Sequence, residues 1–168
     1  MWIKLFGAVA LIVAGWWLGK LLSEKLRIRF ESLQAFDSAL VMLEGEMSYA
    51  QNGIDTAFRN IEKAVGLGGF FERVADGVAK VGVRNAWRKE LCEHREELSL
   101  TGEDVRILSA LSAELGVSNV ENQIKSIRYV RNMLSGAKSD AEERYKTLSV
   151  LYKKLCFGGA LMILIVII

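Results

Sequence analysis

From Leu5 to Gly19 the chain carries no charged side chain, and the stretch from Leu155 to Ile168 carries none either. Uncharged, aliphatic-rich stretches partition into hydrocarbon when helical, because a helix satisfies its own backbone there. The residues between them hold all 20 Asp and Glu side chains and cannot follow. These two ends constrain the rest of the reading: a charged middle is held to one side of a membrane by its flanks.

Trp2 to Leu22 supplies the roughly 20 apolar residues that a spanning helix needs. Lys4 and Lys20 stand near its ends, where long stems reach the interface. The competing reading is a cleaved signal peptide, but Trp16, Trp17 and Leu18 stand where small residues should precede a cleavage site, so an uncleaved anchor is favoured. The C-terminal run is shorter, about 21 Å as a helix. It is read as a second span, helped by outward-reaching Lys153 and Lys154 or by local thinning of the bilayer; a buried or re-entrant segment is the alternative. The expected organisation is a transmembrane helix over 1–22, a cytoplasmic helical bundle over 23–154 and a C-terminal transmembrane helix over 155–168.

Orientation follows from charge. Lys20, Lys25, Arg27 and Arg29 follow the first span, and Arg144, Lys146, Lys153 and Lys154 precede the second. The positive-inside rule puts these flanks, and residues 23–154 with them, in the cytoplasm of a two-span membrane protein. Cys92 and Cys156 lie far apart without a C-x-x-C spacing, which agrees with a reducing compartment. Residues 23–154 are close to neutral overall, which argues against a nucleic-acid partner.

The chain contains no proline, so nothing enforces a break in a helix, and the apolar spacing is helical throughout. Leu26, Leu33, Phe36, Leu40, Leu43, Met47 and Ala50 form a buried stripe on a helix continuing from the first span, with Gly45 as the expected bend. Ile54, Ala57, Phe58, Ile61 and Val65 mark a short helix that Gly66-Leu67-Gly68-Gly69 ends; no lysine-serine or lysine-threonine follows, so these glycines read as a cap or hinge and not a phosphate cradle. Phe70, Phe71, Val74, Val78 and Val81 mark the next helix, closed by Gly82. Val83 to Leu98 follows, with Trp87 as a core anchor and His94 as a solvated surface histidine. Thr101-Gly102-Glu103-Asp104 resembles a capping box and opens a helix with Val105, Leu108, Leu111 and Leu115 on its apolar side. The last helix carries Val120, Ile124, Ile127, Val130, Leu134, Ala137, Ala141, Tyr145, Leu148, Tyr152 and Leu155 into the terminal run. The predicted fold is all-α: a membrane-anchored bundle of two long helices, continuing into the N- and C-terminal spans, with shorter helices packed between them.

The residue inventory offers little chemistry. One histidine and two distant thiols build neither a catalytic triad nor a soft metal site, so no enzyme activity, cofactor or metal is expected. Glu44 and Glu46 are two residues apart and point to different helix faces. Gly15 and Gly19, spaced as in a small-x-x-x-small motif, are candidates for helix–helix packing in the membrane and for a homo-oligomer.

Leu43-Glu44-Gly45-Glu46-Met47-Ser48-Tyr49, then Ala86-Trp87, then Leu115-Gly116 with Asn119 and Gln123, and a short apolar tail, together resemble the stage III sporulation protein AB family over essentially the whole chain. Asn119 stands where the family more often has aspartate. The resemblance implies an endospore-forming bacterium and a place in the mother-cell-derived membrane around the forespore. It also implies similarity to the inner-membrane platform protein of type II secretion (F type) and a role in a secretion-like channel complex. The implied partners are a cytoplasmic secretion-type ATPase and other membrane components of the apparatus, besides the lipid bilayer. Exposed members of the two runs, Glu44, Glu46, Tyr49, Asn119 and Gln123, are the candidate partner-binding residues, with internal bracing as the competing reading for Tyr49 and Gln123. A two-span signalling or coiled-coil adaptor is the alternative function.

Overall fold

A computed structural model describes the backbone of residues 2–49, 53–116 and 119–167, and the side chains of 13, 14, 16–48, 53–116, 119–152, 154 and 158. Among the described residues there are five α-helices, one 3-10 turn and no strand. The order is α1 (Trp2–Tyr49), α2 (Ile54–Val65), α3 (Phe70–Glu93), α4 (Gly102–Ala110), a 3-10 turn (Leu111–Ala113) and α5 (Val120–Ile167). The chain divides into two units: residues 31–139 form one, and residues 1–30 with 140–168 form the other.

Glycines set the breaks that proline would otherwise supply. Gly66 closes α2 in the left-handed region (φ 65°, ψ 52°), its N–H donating to the Glu62 carbonyl. Gly82 (φ 78°, ψ 157°) interrupts α3, and Asn85 Nδ2 donates to the Val81 carbonyl at 3.0 Å beside that break. A residue with a Cβ is strained at both positions. Gly45 behaves otherwise: it does not interrupt α1, which runs through it to Tyr49. Its helix cost of about 1 kcal/mol is outweighed by the packing of Leu40 and Leu43, both buried on the same helix.

In the 31–139 unit the core is aromatic. Trp87 is fully buried and lies 5.4–6.3 Å, ring centroid to centroid, from Phe36, Phe58, Phe70 and Phe71. Leu33, Leu40 and Leu43 of α1, Leu91 of α3, Leu108 and Leu111, and Ile127, Val130 and Leu134 of α5 are also buried. Edge-to-face and stacked ring pairs at these separations add to the area term. The Trp87 indole Nε1 donates to the Leu108 carbonyl at 2.9 Å, so the ring's polar edge is satisfied in the core. The Thr101–Asp104 capping box is present in both directions: Thr101 Oγ1 accepts from the Asp104 N–H, and Asp104 Oδ2 from the Thr101 N–H.

Three expectations need correction. Val81 is 48% exposed because the Gly82 break turns the chain away from the α3 stripe, and Val120 is 50% exposed because it is the first residue of α5, before that helix begins to pack. The helix expected over 83–98 ends at Glu93; His94–Ser99 forms turns, with the Leu98 N–H on the His94 carbonyl and Ser99 at φ 52°. The predicted Ala50 and the Leu155 side chain lie outside the described residues.

In the other unit, Phe30 stacks on Tyr145 (6.3 Å, 13° between planes) and Arg29 pairs with Asp140 at 3.2 Å. Gly19, Ser23 and Ser149 are buried. Val13, Trp16, Trp17, Leu18, Leu21 and Leu22 are exposed, Trp16 and Trp17 by about three fifths. Among the described residues no helix is long and apolar enough to cross a membrane. Much of both apolar runs, including the side chains of residues 1–12 and 159–168, falls outside that description.

Candidate functional site

The two sequence runs that carry the candidate residues occupy the end of α1 and the start of α5, and each side chain there has a definable job. Glu44 points toward α5. Its Oε1 accepts from Arg128 Nε at 2.8 Å, and its Oε2 lies 3.7 Å from Arg131 Nη1. Arg131 also reaches Asp37 at 3.3 Å, and Lys138 donates to Asp37 at 2.5 Å. The result is a ladder of two α1 carboxylates against three α5 cations. Burial pushes the Asp37 carboxyl up, but hydrogen bonds and charge from Lys138 and Arg131 outweigh it and hold the group below its usual range.

Glu46 points the other way, as its two-residue offset from Glu44 predicts. Its Oε1 lies 3.5 Å from Asn60 Nδ2 on α2, a long contact, and its Oε2 is buried without a hydrogen-bond partner. The Tyr49 side chain lies outside the described residues, as does the packing at Gly15, while Gly19 is buried.

Asn119 and Gln123 build the start of α5. Asn119 Oδ1 accepts from the Asn122 N–H at 2.9 Å, the N-cap bond that satisfies one of the four free amides of a helix start. Gln123, one turn on and 7% exposed, uses Oε1 to accept the Gly116 N–H at 3.1 Å, and Gly116 sits at φ 72°. The spacing Leu115-Gly116-x-x-Asn119-x-x-x-Gln123 is therefore a helix-start device: left-handed glycine, cap, and a side chain reaching back. Asparagine and aspartate cap about equally well, so Asn119 retains this role without a charge. Glu44 meets α5 further along, through Arg128 and Arg131, and not at the Asn119–Gln123 turn.

Several working residues escaped the sequence reading. Glu62 caps α3 from outside: its two oxygens accept the Gly69 N–H at 2.7 Å and the Phe71 N–H at 3.0 Å. Glu90 is 7% exposed, and its Oε2 lies 3.3 Å from both Arg73 Nε and His94 Nδ1. His94 is thus a partly buried partner of Glu90, not the solvated residue expected. Glu90 stands three and four residues beyond Trp87 and Ala86, the spacing of one buried face, and that was the available signal. For Glu62 there was none, because an external cap depends on how α2 meets α3. No cluster of His, Cys, Asp or Glu able to hold a metal ion occurs among the described residues.

The arrangement defines an all-α protein in which Glu44 pairs with a neighbouring helix and Asn119 and Gln123 build the start of another. The family described as Stage III sporulation protein AB matches residues 4–168, and the chain belongs to that family. It is 27% identical over 168 residues to the Stage III sporulation protein AB of Bacillus subtilis (strain 168), covering 97% of this chain and 98% of that protein. A solved structure of Stage III sporulation protein AB (SpoIIIAB) has the same fold, with a TM-score of 0.65 at 24% identity, over 70% of this chain and 96% of the solved one. A role in sporulation follows from the family.

Proposed function

We propose that the chain is a non-enzymatic membrane platform of a secretion-like channel complex needed for endospore formation. Its apolar ends anchor it as a two-span protein in the mother-cell-derived membrane around the forespore. Its helical unit docks a cytoplasmic secretion-type ATPase beside other membrane components of the apparatus. The observation that carries this reading is that the family match runs across both apolar ends and the helical middle together. The ion-pair ladder between α1 and α5 adds a mechanical rationale, since a platform has to resist the motion of a motor bound to it. Glu44, Glu46, Tyr49, Asn119 and Gln123 remain the proposed contact residues; of the four whose side chains are described, Asn119 is the exposed one, and Gln123 supports the helix start from within. Capture of the secretion-type ATPase of the same apparatus by the full chain in detergent, with ADP, with a non-hydrolysable ATP analogue and without nucleotide, tests the docking. Retention in at least one state, weakened by Asn119→Lys, is expected; no retention in any state refutes it. Reporter fusions at residue 60 test the orientation, and an exported signal there defeats it.

A further inference from the structure

Charge is distributed unevenly along this chain. Residues 1–30 and 146–168 hold eight Lys and Arg and one Glu, although the net charge of the whole is only +2. Within the unit that contains these residues, four of the seven cations whose side chains are described are engaged. Arg27 is bound to Glu24, Arg29 to Asp140, Arg144 to Asp140 and Lys146 to Glu142. Lys20, Lys25 and Lys154 are exposed, and no carboxylate forms an ion pair with them among the described residues. The Lys20 ammonium lies 5.7 Å from the Trp16 ring centroid, and the nearby Glu24 is already taken by Arg27.

Their level along the helices is informative. Counted outward from the Phe30–Tyr145 stack, Lys20 is ten residues along α1 and Lys154 nine along α5, distances of about 15 and 14 Å at 1.5 Å per residue. The two ammonium groups therefore stand at nearly one height, with Lys25 about 7.5 Å back toward the stack. Immediately beyond Lys20 lie the exposed Trp16, Trp17 and Leu18, and exposed Leu21 and Leu22 flank it on the other side. Apolar surface, an indole pair and three ammonium groups without an ion pair among the described residues follow one another in the order of acyl chain, interface and headgroup.

We propose that Lys20, Lys25 and Lys154 form a collar that binds anionic phospholipid headgroups, making the chain's attachment selective for anionic bilayer. This rests on the membrane-anchored reading above and adds a lipid preference to it. Neutral lipids would meet the same apolar surface but leave the three charges uncompensated.

The test uses the full chain reconstituted into mixed vesicles in which either the phosphatidylglycerol or the phosphatidylcholine carries brominated acyl chains. With Trp2 replaced by Phe in every variant, the quenchable fluorescence comes from Trp16 and Trp17, which stand beside Lys20 and read the lipids next to the collar; Trp87 is buried among aromatic rings. In low salt the brominated phosphatidylglycerol should be enriched about threefold or more, with the preference collapsing toward one in 0.5 M salt. The triple variant K20Q/K25Q/K154Q should lose it, with folding retained because Gln is as good a helix former as Lys. A charge-matched control, K63Q/K80Q/R88Q, should keep it. Equal quenching by the two lipids in the parent, or equal loss in both triple variants, overturns the collar. Flotation separates this from the anchoring itself: the anchored chain floats with neutral and anionic vesicles alike, and a chain that does so but is quenched equally by the two brominated lipids refutes the collar alone. A chain that floats with neither refutes the anchoring and the collar together. Retention of a short DNA duplex that depends on the same lysines, without a lipid preference, assigns them to nucleic acid and overturns the lipid proposal.

Discussion

Trp87→Phe is the most demanding test of the core. The substitution keeps an aromatic ring among Phe36, Phe58, Phe70 and Phe71 but removes the part of the indole that carries Nε1. The volume lost is about 40 Å³, which at roughly 24 cal/mol per Å³ costs about 1 kcal/mol if the site does not collapse. The Leu108 carbonyl, in the last turn of α4, also loses the donor 2.9 Å away. Leaving a buried acceptor short of a partner costs about 1–3 kcal/mol. The expected loss is about 2–4 kcal/mol. Urea unfolding of the full chain in detergent, followed by circular dichroism, should show the midpoint falling by 1–2 M at a typical slope of about 2 kcal/mol per M. Trp16→Phe, at a site 61% exposed, should stay within about 0.5 kcal/mol of the parent. A Trp87→Phe midpoint equally close to the parent would refute the claim that the indole ties α3 to α4.

Two glycines in helices should respond in opposite directions. A Cβ at Gly45 meets nothing within 4 Å, so Gly45→Ala should stabilise the chain by up to about 1 kcal/mol. A Cβ at Gly77 would stand 2.8 Å from Ala86 Cβ, and because that neighbour is a short, rigid side chain the backbone must shift, so Gly77→Ala should cost about 1–3 kcal/mol in the same unfolding assay. Removing the capping box by Thr101→Ala should cost about 1 kcal/mol, seen as faster amide exchange at Glu103–Val105. For Asp37 the folded-state pKa lies below the usual 3.8, so its ion pairs contribute in full above that value and are lost as pH falls through the lower, folded one. Asp37→Asn should therefore be less stable than the parent by a constant margin from pH 5 to 7, and the margin should close below about pH 4. A margin that persists in acid rules out the ion pair as its source.

The helices were legible because their apolar residues recur every three or four positions, and this spacing needs only local geometry. Leu33, Phe36, Leu40 and Leu43, then Ala57, Phe58 and Ile61, then Phe70, Phe71 and Val74 read directly as buried faces. The family runs were also legible, but not their local meaning. The Asn119 and Gln123 spacing became a cap and a brace only when Gly116 was seen to turn its N–H back toward α5. His94 looked solvated because all six residues at 88, 89, 93 and 95–97 around it in sequence are charged, yet its true neighbour is one helical turn away in Glu90.

Local sequence alone determined an all-helical chain with glycine punctuation, apolar ends and a nearly neutral charged middle, because propensity, periodicity and charge act over a few residues. Tertiary structure decided which carboxylate faces which cation and which glutamates cap, brace or lie buried. Glu44 and Glu46 differ by two positions and end on different helices, one against Arg128 and the other beside Asn60. Pairing between residues 84 positions apart depends on how two helices dock, and no stretch of sequence short enough to be read locally contains that information.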